Sequence, residues 1–245
     1  MKNNIIIIPA RYKSIRFPGK PLAQLAGKSM IQFIYDRIKD YPFIDEIMVA
    51  TDDDNILTHC IENKIPCTLT SVNHQSGTDR VAEVALKYPE HYNIINLQGD
   101  EPFIKSSDVL KLIETLAIAP DGIATLACKL KNVNHRKNPD RVKVVFNKNM
   151  EAMYFSRFGI PYQKNEMSEE YFHQHIGIYG FKNEKLQILT RLSAGGYEMS
   201  ESLEQLRWLE AGYKIKMGIV EDTLFSVDTP DDLLKANKLI KNEKV

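Results

Sequence analysis

Apolar positions along the chain repeat with two periods. Short β-branched runs at residues 4–8, 46–50, 67–70, 93–97 and 123–130 predict strands. Between them, apolar residues three and four apart predict helices near 29–39, 54–63, 78–88 and 107–116. Ser29, Asp53 or Asp54, Thr78 and Ser107 are placed to cap the helix starts by accepting from exposed backbone N–H groups. Strand and helix in alternation predict an α/β fold with a mostly parallel central sheet and helices on both faces. After the fifth strand the pattern changes. "RVKVVF", "AMYFS" and "HIGIYGF" read as short strands around the polar insertion "QKNEMSEE", so residues 141–200 suit a small antiparallel excursion that extends the sheet or contacts a second copy. Two helices, a strand at 214–220 and a helix after Pro230 complete the chain.

A length of 245 residues suits a single domain, 1–245. The composition, 43% apolar and 26% charged, is that of an ordinary globular protein. A formal net charge of +0 without long Lys/Arg runs argues against nucleic acid as a partner. The apolar run at 5–8 is too short to span a bilayer, and the expectation is a cytoplasmic protein without membrane insertion. Cys60, Cys67 and Cys128 lack CxxC spacing and read as packing residues rather than a disulfide or zinc framework.

Ligands of open α/β sheets bind beyond the carboxyl ends of the strands. Four polar stretches follow strands: "PARYKSIRFPGK", "TDDD", "TSVNHQSGTDR" and "QGDEP". Gly27-Lys28-Ser29 has the tail of a phosphate loop, but the glycine needed five residues before Gly27 is Leu22, so these residues read as a turn and a helix cap. No GxGxxG is present to suggest a dinucleotide turn. Arg11, Lys13, Arg16 and Lys20, by contrast, follow the first strand directly, and the first acid in the chain is Asp36. Such a loop suits a triphosphate, with Arg as a bidentate donor and Lys as a mobile charge, although a solvated basic loop has the same composition.

Gln98, Asp100 and Glu101 follow the fourth predicted strand, where a carboxylate is placed to hold a magnesium ion bridging phosphates. Asp228 in "FSVDTPDDL" is a second candidate, with a helix cap as the other reading. Asp52, Asp53 and Asp54 precede a helix and suit its dipole. His173 and His175 share a strand face without a third metal ligand nearby, and His175 suits a hydrogen-bond donor to a polar substrate. His74, Ser76 and Gly77 lead into a helix N-terminus, a place for a base or phosphate contact.

Seven motifs in order, "IIPARYKSIRFPGKPL", "NHQSGTDR", "NLQGDEP", "YFSRFGIPY", "HIGIYGF", "ESLEQLRWLEAGYKI" and "VDTPDDL", resemble the 3-deoxy-manno-octulosonate cytidylyltransferases over nearly the whole chain. The resemblance implies a nucleotide-diphosphosugar transferase (Rossmann-like) fold and the reaction CTP + Kdo giving CMP-Kdo and diphosphate, for lipopolysaccharide biosynthesis. It also implies a Mg2+-dependent homodimer. By this resemblance Ala10, Arg11, Arg16, Lys20, Ser76, Gly77 and Arg80 contact CTP, and Asp100 and Asp228 hold the metal. Arg16 and Lys20 also offset charge in the reaction. Gln98, Arg157, His175, Tyr179, Glu204 and Gln205 line the sugar site, where Arg157 suits the sugar carboxylate. Gln174, Phe181-Lys182, the segment "RLSAGGYEMSESLEQ" and Ser226 depart from the family pattern. These departures, mostly on the sugar side, leave a related acid such as the 8-amino analogue as the alternative substrate. A nucleotide-sensing module without catalysis is the alternative from another class.

Overall fold

The computed structural model of the chain describes residues 3–13, 16–130, 133–164, 171–221 and 225–242. The first half of the chain runs β1 Asn4–Ala10, β2 Gln24–Leu25, β3 Lys28–Ser29, α1 Met30–Ile38, β4 Glu46–Thr51, α2 Asp54–Glu62, β5 Cys67–Leu69, α3 Gly77–Ala85, β6 Asn93–Asn96 and α4 Ser106–Ala117. It continues through β7 Ile123–Lys129, β8 Lys143–Phe146, β9 Ala152–Ser156, β10 His173–Lys182, α5 Asn183–Leu189, α6 Gly196–Glu201, α7 Gln205–Glu210, β11 Lys216–Val220 and α8 Pro230–Asn242. These residues divide into two compact units, one within 1–106 and 224–245 and the other within 107–223.

In the first unit β6, β1, β4 and β5 lie side by side and all run parallel. β1 is central and buried along its whole length, which explains why it reads as an unbroken apolar run. Parallel strands bring every carboxyl end to one edge, and the loops after β1, β4, β5 and β6 therefore gather there. α1 turns Met30, Ile31, Ile34 and Ile38 into the core, and Ser29 caps it by accepting from the Gln32 N–H. β2 and β3 form a hairpin whose turn residues, Ala26 and Gly27, both have positive φ. The sequence pattern did not announce this hairpin. α8 closes on it, where Asn237 accepts from the Ala26 N–H at 2.9 Å and donates to the Gln24 carbonyl at 3.2 Å.

In the second unit β11 pairs parallel with β7, β7 antiparallel with β10, β10 with β8 and β8 with β9. The antiparallel excursion is present, but three short helices, α5 to α7, stand where two were expected. Of the insertion at 163–170, residues 165–170 lie outside the described residues. Gly218 in β11 allows α4 to pack close, because a Cβ there would sit 2.5 Å from Thr115 Oγ1. Tyr179, Phe181 and Trp208 stack into an aromatic core, with Trp208 edge-on to both rings at 5.2 and 5.3 Å.

All three cysteines are free thiols; Cys60 and Cys128 are buried and Cys67 is half-buried. No helix among the described residues is long and apolar enough to cross a membrane.

Candidate active site

Beyond the carboxyl ends of the parallel strands the first unit has a cavity of about 610 Å³. The β1 loop contributes Ala10, Arg11, Lys13, Arg16 and Lys20 to its wall, the start of α3 contributes Gly77, and the β6 loop contributes Gln98 and Asp100. Gly19 reverses the β1 loop at φ 70, and its N–H donates to the Tyr12 carbonyl at 2.9 Å. That reversal carries Lys20 back into the cavity.

Two cations of this cavity, Lys20 and Arg16, are paired with carboxylates. Lys20 Nζ lies 2.8 Å from Asp100 Oδ2 and 3.4 Å from Asp228 Oδ1. Arg16 reaches the same Asp228 oxygen at 2.9 Å. Asp228 is available for these contacts because it does not cap α8. Thr229 and Asp232 do so reciprocally, Asp232 N–H donating to Thr229 Oγ1 and Thr229 N–H to Asp232 Oδ2. Arg11 spans to the loop after β5 and donates to the carbonyls of His74 and Gln75. Glu83 holds that loop from the other side, accepting from the Ser71 N–H at 2.9 Å and meeting His74 Nε2.

Ser76, not Thr78, caps α3: it accepts from the Asp79 N–H while Asp79 accepts from its own N–H. Arg80, expected beside the nucleotide, does not line the cavity. It is fully buried and donates to Thr70 and, at 2.7 Å, to Asp52. Of the other acids after β4, Asp53 caps α2 and Asp54 stands in its first turn, as the dipole reading expected. Lys28 lies in β3 and pairs with Asp36 at 2.5 Å, a contact that pulls the Asp36 carboxyl below its usual range.

Glu101 stands next to Asp100 just past β6, where the sequence pattern put both carboxylates. It is buried, and burial together with the Asp100 charge pushes its carboxyl up to about 8. Ser226 donates to its Oε1 at 2.8 Å.

Of the residues expected at the sugar, Gln98 lines the first unit's cavity and the others lie in the second unit. Arg157 spends its guanidinium on the carbonyls of Glu201, Pro139 and Ser202, and the Glu201 carboxylate accepts from the Arg157 N–H and from Ser156 Oγ. Arg157 also lines a cavity of about 880 Å³ with Arg136, Lys137, Phe158 and Tyr162. Nearby, buried Lys143 donates to the carbonyls of Asn138 and Arg157, and burial lowers its pKa.

His175 and Tyr179 flank a bulge in β10, where the register against β7 shifts between Ile176 and Tyr179. Thr125 anchors the bulge: its hydroxyl lies 2.7 Å from the Ile178 carbonyl and 2.9 Å from His175 Nε2. Burial pulls His175 down to about 3 and raises the Tyr179 phenol, so both are neutral near pH 7. The Tyr179 hydroxyl is buried without a hydrogen-bond partner among the described residues. Gln205 is buried at the start of α7, with Glu204 at its N-cap position. No local sequence signal marked Thr125 or Lys143, whose roles depend on a partner strand.

A parallel sheet with a cationic loop and paired carboxylates at its carboxyl edge suits a nucleotidyltransferase, and the cytidylyltransferase family model matches residues 5–215. The 3-deoxy-manno-octulosonate cytidylyltransferase of Parabacteroides distasonis is 44% identical over 257 residues, covering 99% of this chain and 100% of that one. That of Thermodesulfovibrio yellowstonii is 45% identical over 249 residues, covering 96% and 97%. A solved CMP:2-keto-3-deoxy-manno-octonic acid synthetase complexed with CTP superposes with a TM-score of 0.91 at 39% identity, covering 98% of this chain and 99% of that chain. A 4-diphosphocytidyl-2C-methyl-D-erythritol synthase from Anaerococcus prevotii shares the fold, with a TM-score of 0.64 at 15% identity. The chain belongs to the 3-deoxy-manno-octulosonate cytidylyltransferase family.

Proposed function

We infer that this protein transfers the cytidylyl group of CTP to 3-deoxy-D-manno-octulosonate, releasing diphosphate. The relatives carry this activity in their names over nearly their whole length, and a related structure binds CTP. The observation that carries the reading here is the cationic cavity of the first unit with its paired carboxylates, Asp100 and Asp228. A sensor that only bound nucleotide would not need two carboxylates turned toward the phosphates.

In the reaction the anomeric hydroxyl of the sugar forms a bond to the α-phosphorus as the bond to the β-phosphate oxygen breaks, and the hydroxyl proton passes to solvent. Negative charge grows on the non-bridging and leaving oxygens. Arg16 and Lys20 offset that charge, and Arg11 fixes the loop after β5 so that Ser76 and Gly77 border the triphosphate. The residues also fit magnesium. Both carboxylates already share one cation, the Lys20 ammonium, and two carboxylates completed by phosphate oxygens and water are a usual magnesium ligand set. Among the described residues no group of three His, Cys, Asp or Glu side chains forms a metal cage, so the substrate would complete the coordination. When bound, the ion supplies Lewis-acid stabilisation of phosphate charge.

Burial keeps His175 and Tyr179 neutral, and both suit hydrogen bonds to sugar hydroxyls, with Gln98, Glu204 and Gln205 as further contacts. Arg157 suits the carboxylate, a feature that Kdo shares with its 8-amino analogue. Phe158 and Tyr162 are strongly exposed at the rim of the second unit's cavity and suit contact with a second copy in a homodimer. The product would feed lipopolysaccharide assembly from the cytoplasm, where CTP is available. Diphosphate release measured with four nucleoside triphosphates against Kdo, its 8-amino analogue and a sialic-type acid tests the assignment. CTP with Kdo is expected to dominate, and no release above background with that pair would overturn it.

A further inference from the structure

Asp100 and Asp228 come from chain segments far apart in sequence, yet both must be held at one cation. Three ties join those segments within the first unit. The Val227 N–H donates to the Asp100 carbonyl at 2.9 Å. Phe103 and Phe225 meet edge to face at 5.9 Å between ring centroids. Ser226 Oγ donates to Glu101 Oε1 at 2.8 Å. The third tie is the one made by polar side chains, and it involves the immediate neighbour of Asp100 and a residue two before Asp228.

We propose that Glu101 and Ser226 are positioning residues for divalent-cation binding, their hydrogen bond setting the separation of the Asp100 and Asp228 carboxylates. The inference rests on the reading that these two aspartates hold the metal. Glu101 cannot be an ordinary solvated acid, because it is buried and its Oε2 has no hydrogen-bond partner among the described residues. Its Oε1 is committed to Ser226 and does not reach for Lys20, whose ammonium goes to the two aspartates. With the backbone bond from Val227 and the Phe103–Phe225 contact, the side-chain bond gives the 225–228 segment a third point of attachment and so restricts its rotation. Loss of the hydroxyl leaves one polar hinge, about which Asp228 can swing away from Asp100.

The test is direct Mn2+ titration by electron paramagnetic resonance, with CTP present, on the full chain and its variants. Ser226→Ala is expected to weaken Mn2+ binding about five- to tenfold, the weight of one buried hydrogen bond to a carboxyl group. Its turnover at saturating metal should stay within about twofold, because Asp100, Asp228 and Lys20 are all retained. Glu101→Gln keeps the Oε1 acceptor and is expected to bind Mn2+ as the parent does. Glu101→Ala should match or exceed the loss in Ser226→Ala; where it fails to fold, the serine variant and Glu101→Gln still decide. A Ser226→Ala protein with lowered Tm and unchanged Mn2+ affinity would reduce the pair to a structural role and overturn the proposal. Asp100→Asn serves as the control: if it also leaves Mn2+ binding unchanged, the metal assignment itself has failed rather than the positioning role.

Discussion

In the first unit Lys20 and Arg16 bond to carboxylates, whereas in the second Arg157 and Lys143 bond to main-chain carbonyls. Each arrangement satisfies its cations, but the consequences differ. A side-chain carboxylate can exchange a lysine for another cation, and the lysine is then released to a phosphate. A carbonyl fixed in a turn has no such exchange, and an arginine bonded to three of them is held in one orientation. The first cluster therefore suits changing charge and the second suits fixed shape, in keeping with the phosphate and carboxylate roles proposed for Lys20 and Arg157.

The largest expected effect separates the two lysines of the β1–α1 region. Lys20→Ala should lower kcat by about 10²–10³-fold with the fold intact by circular dichroism, since a preorganised donor to developing phosphate charge is lost. Asp100→Asn should fall in the same range in the same assay. If Lys20→Ala lost no more activity than Lys28→Ala, exchangeable pairing would not distinguish this cavity.

Next comes Tyr179→Phe. Removing a buried, unpartnered hydroxyl relieves about 1–3 kcal/mol of desolvation cost, so the ligand-free protein should melt at an equal or higher temperature. The same change should raise KM for the sugar acid by about tenfold, on the scale of one lost hydrogen bond, while KM for CTP stays put. A fall in both melting temperature and CTP affinity would instead make the hydroxyl part of the scaffold.

His175 gives a pH signature. Its folded pKa, about 3, lies below the ordinary 6.5, so the unfolded chain takes up the proton first. Its contribution to stability is full above pH 6.5 and is lost as pH falls from there through 3. Between pH 7 and pH 5 the loss should be about 2 kcal/mol in urea unfolding, and His175→Gln should flatten that slope. An unchanged slope would mean that the imidazole titrates normally, and fixed shape would no longer describe this cluster. The smallest effect is that of Lys28→Ala: its half-exposed pair with Asp36 is worth about 0–1 kcal/mol, with activity unchanged.

Much of this was legible in the residues. β1 announced itself as an apolar run, the cations after it lie in the cavity, and the Gly-Asp turn after β6 supplies Asp100. Leu22 in place of a glycine argued against a phosphate loop at Lys28, which lies in β3 paired with Asp36. What escaped reading depends on distant partners. Arg80 was placed at the nucleotide by the family resemblance alone, and no local pattern announced that Asp52, from a separate strand end, holds it inside. Asp228 stood equally well as a cap until Thr229 and Asp232 took that role. Nothing near Glu101 revealed that its partner lies at 226, because hydrogen bonds between remote segments leave no local periodicity. The third helix before β11 was missed because α6 and α7 are each only six residues long, too short for a helical period to register.

The first unit takes its residues from both sides of the second in the chain, with Asp228 and α8 coming after residue 223. During synthesis, which proceeds from the N-terminus at about 5–20 residues per second, the parallel strands and the whole second unit emerge before the second aspartate does. A nascent chain halted at residue 220 would thus carry the basic loop, Lys20 and Asp100 but neither Asp228 nor the helix whose Asn237 fastens the hairpin. The first unit therefore cannot close around its cavity until the segment from residue 225 onward has been made, so the second unit is available to fold before the first is complete.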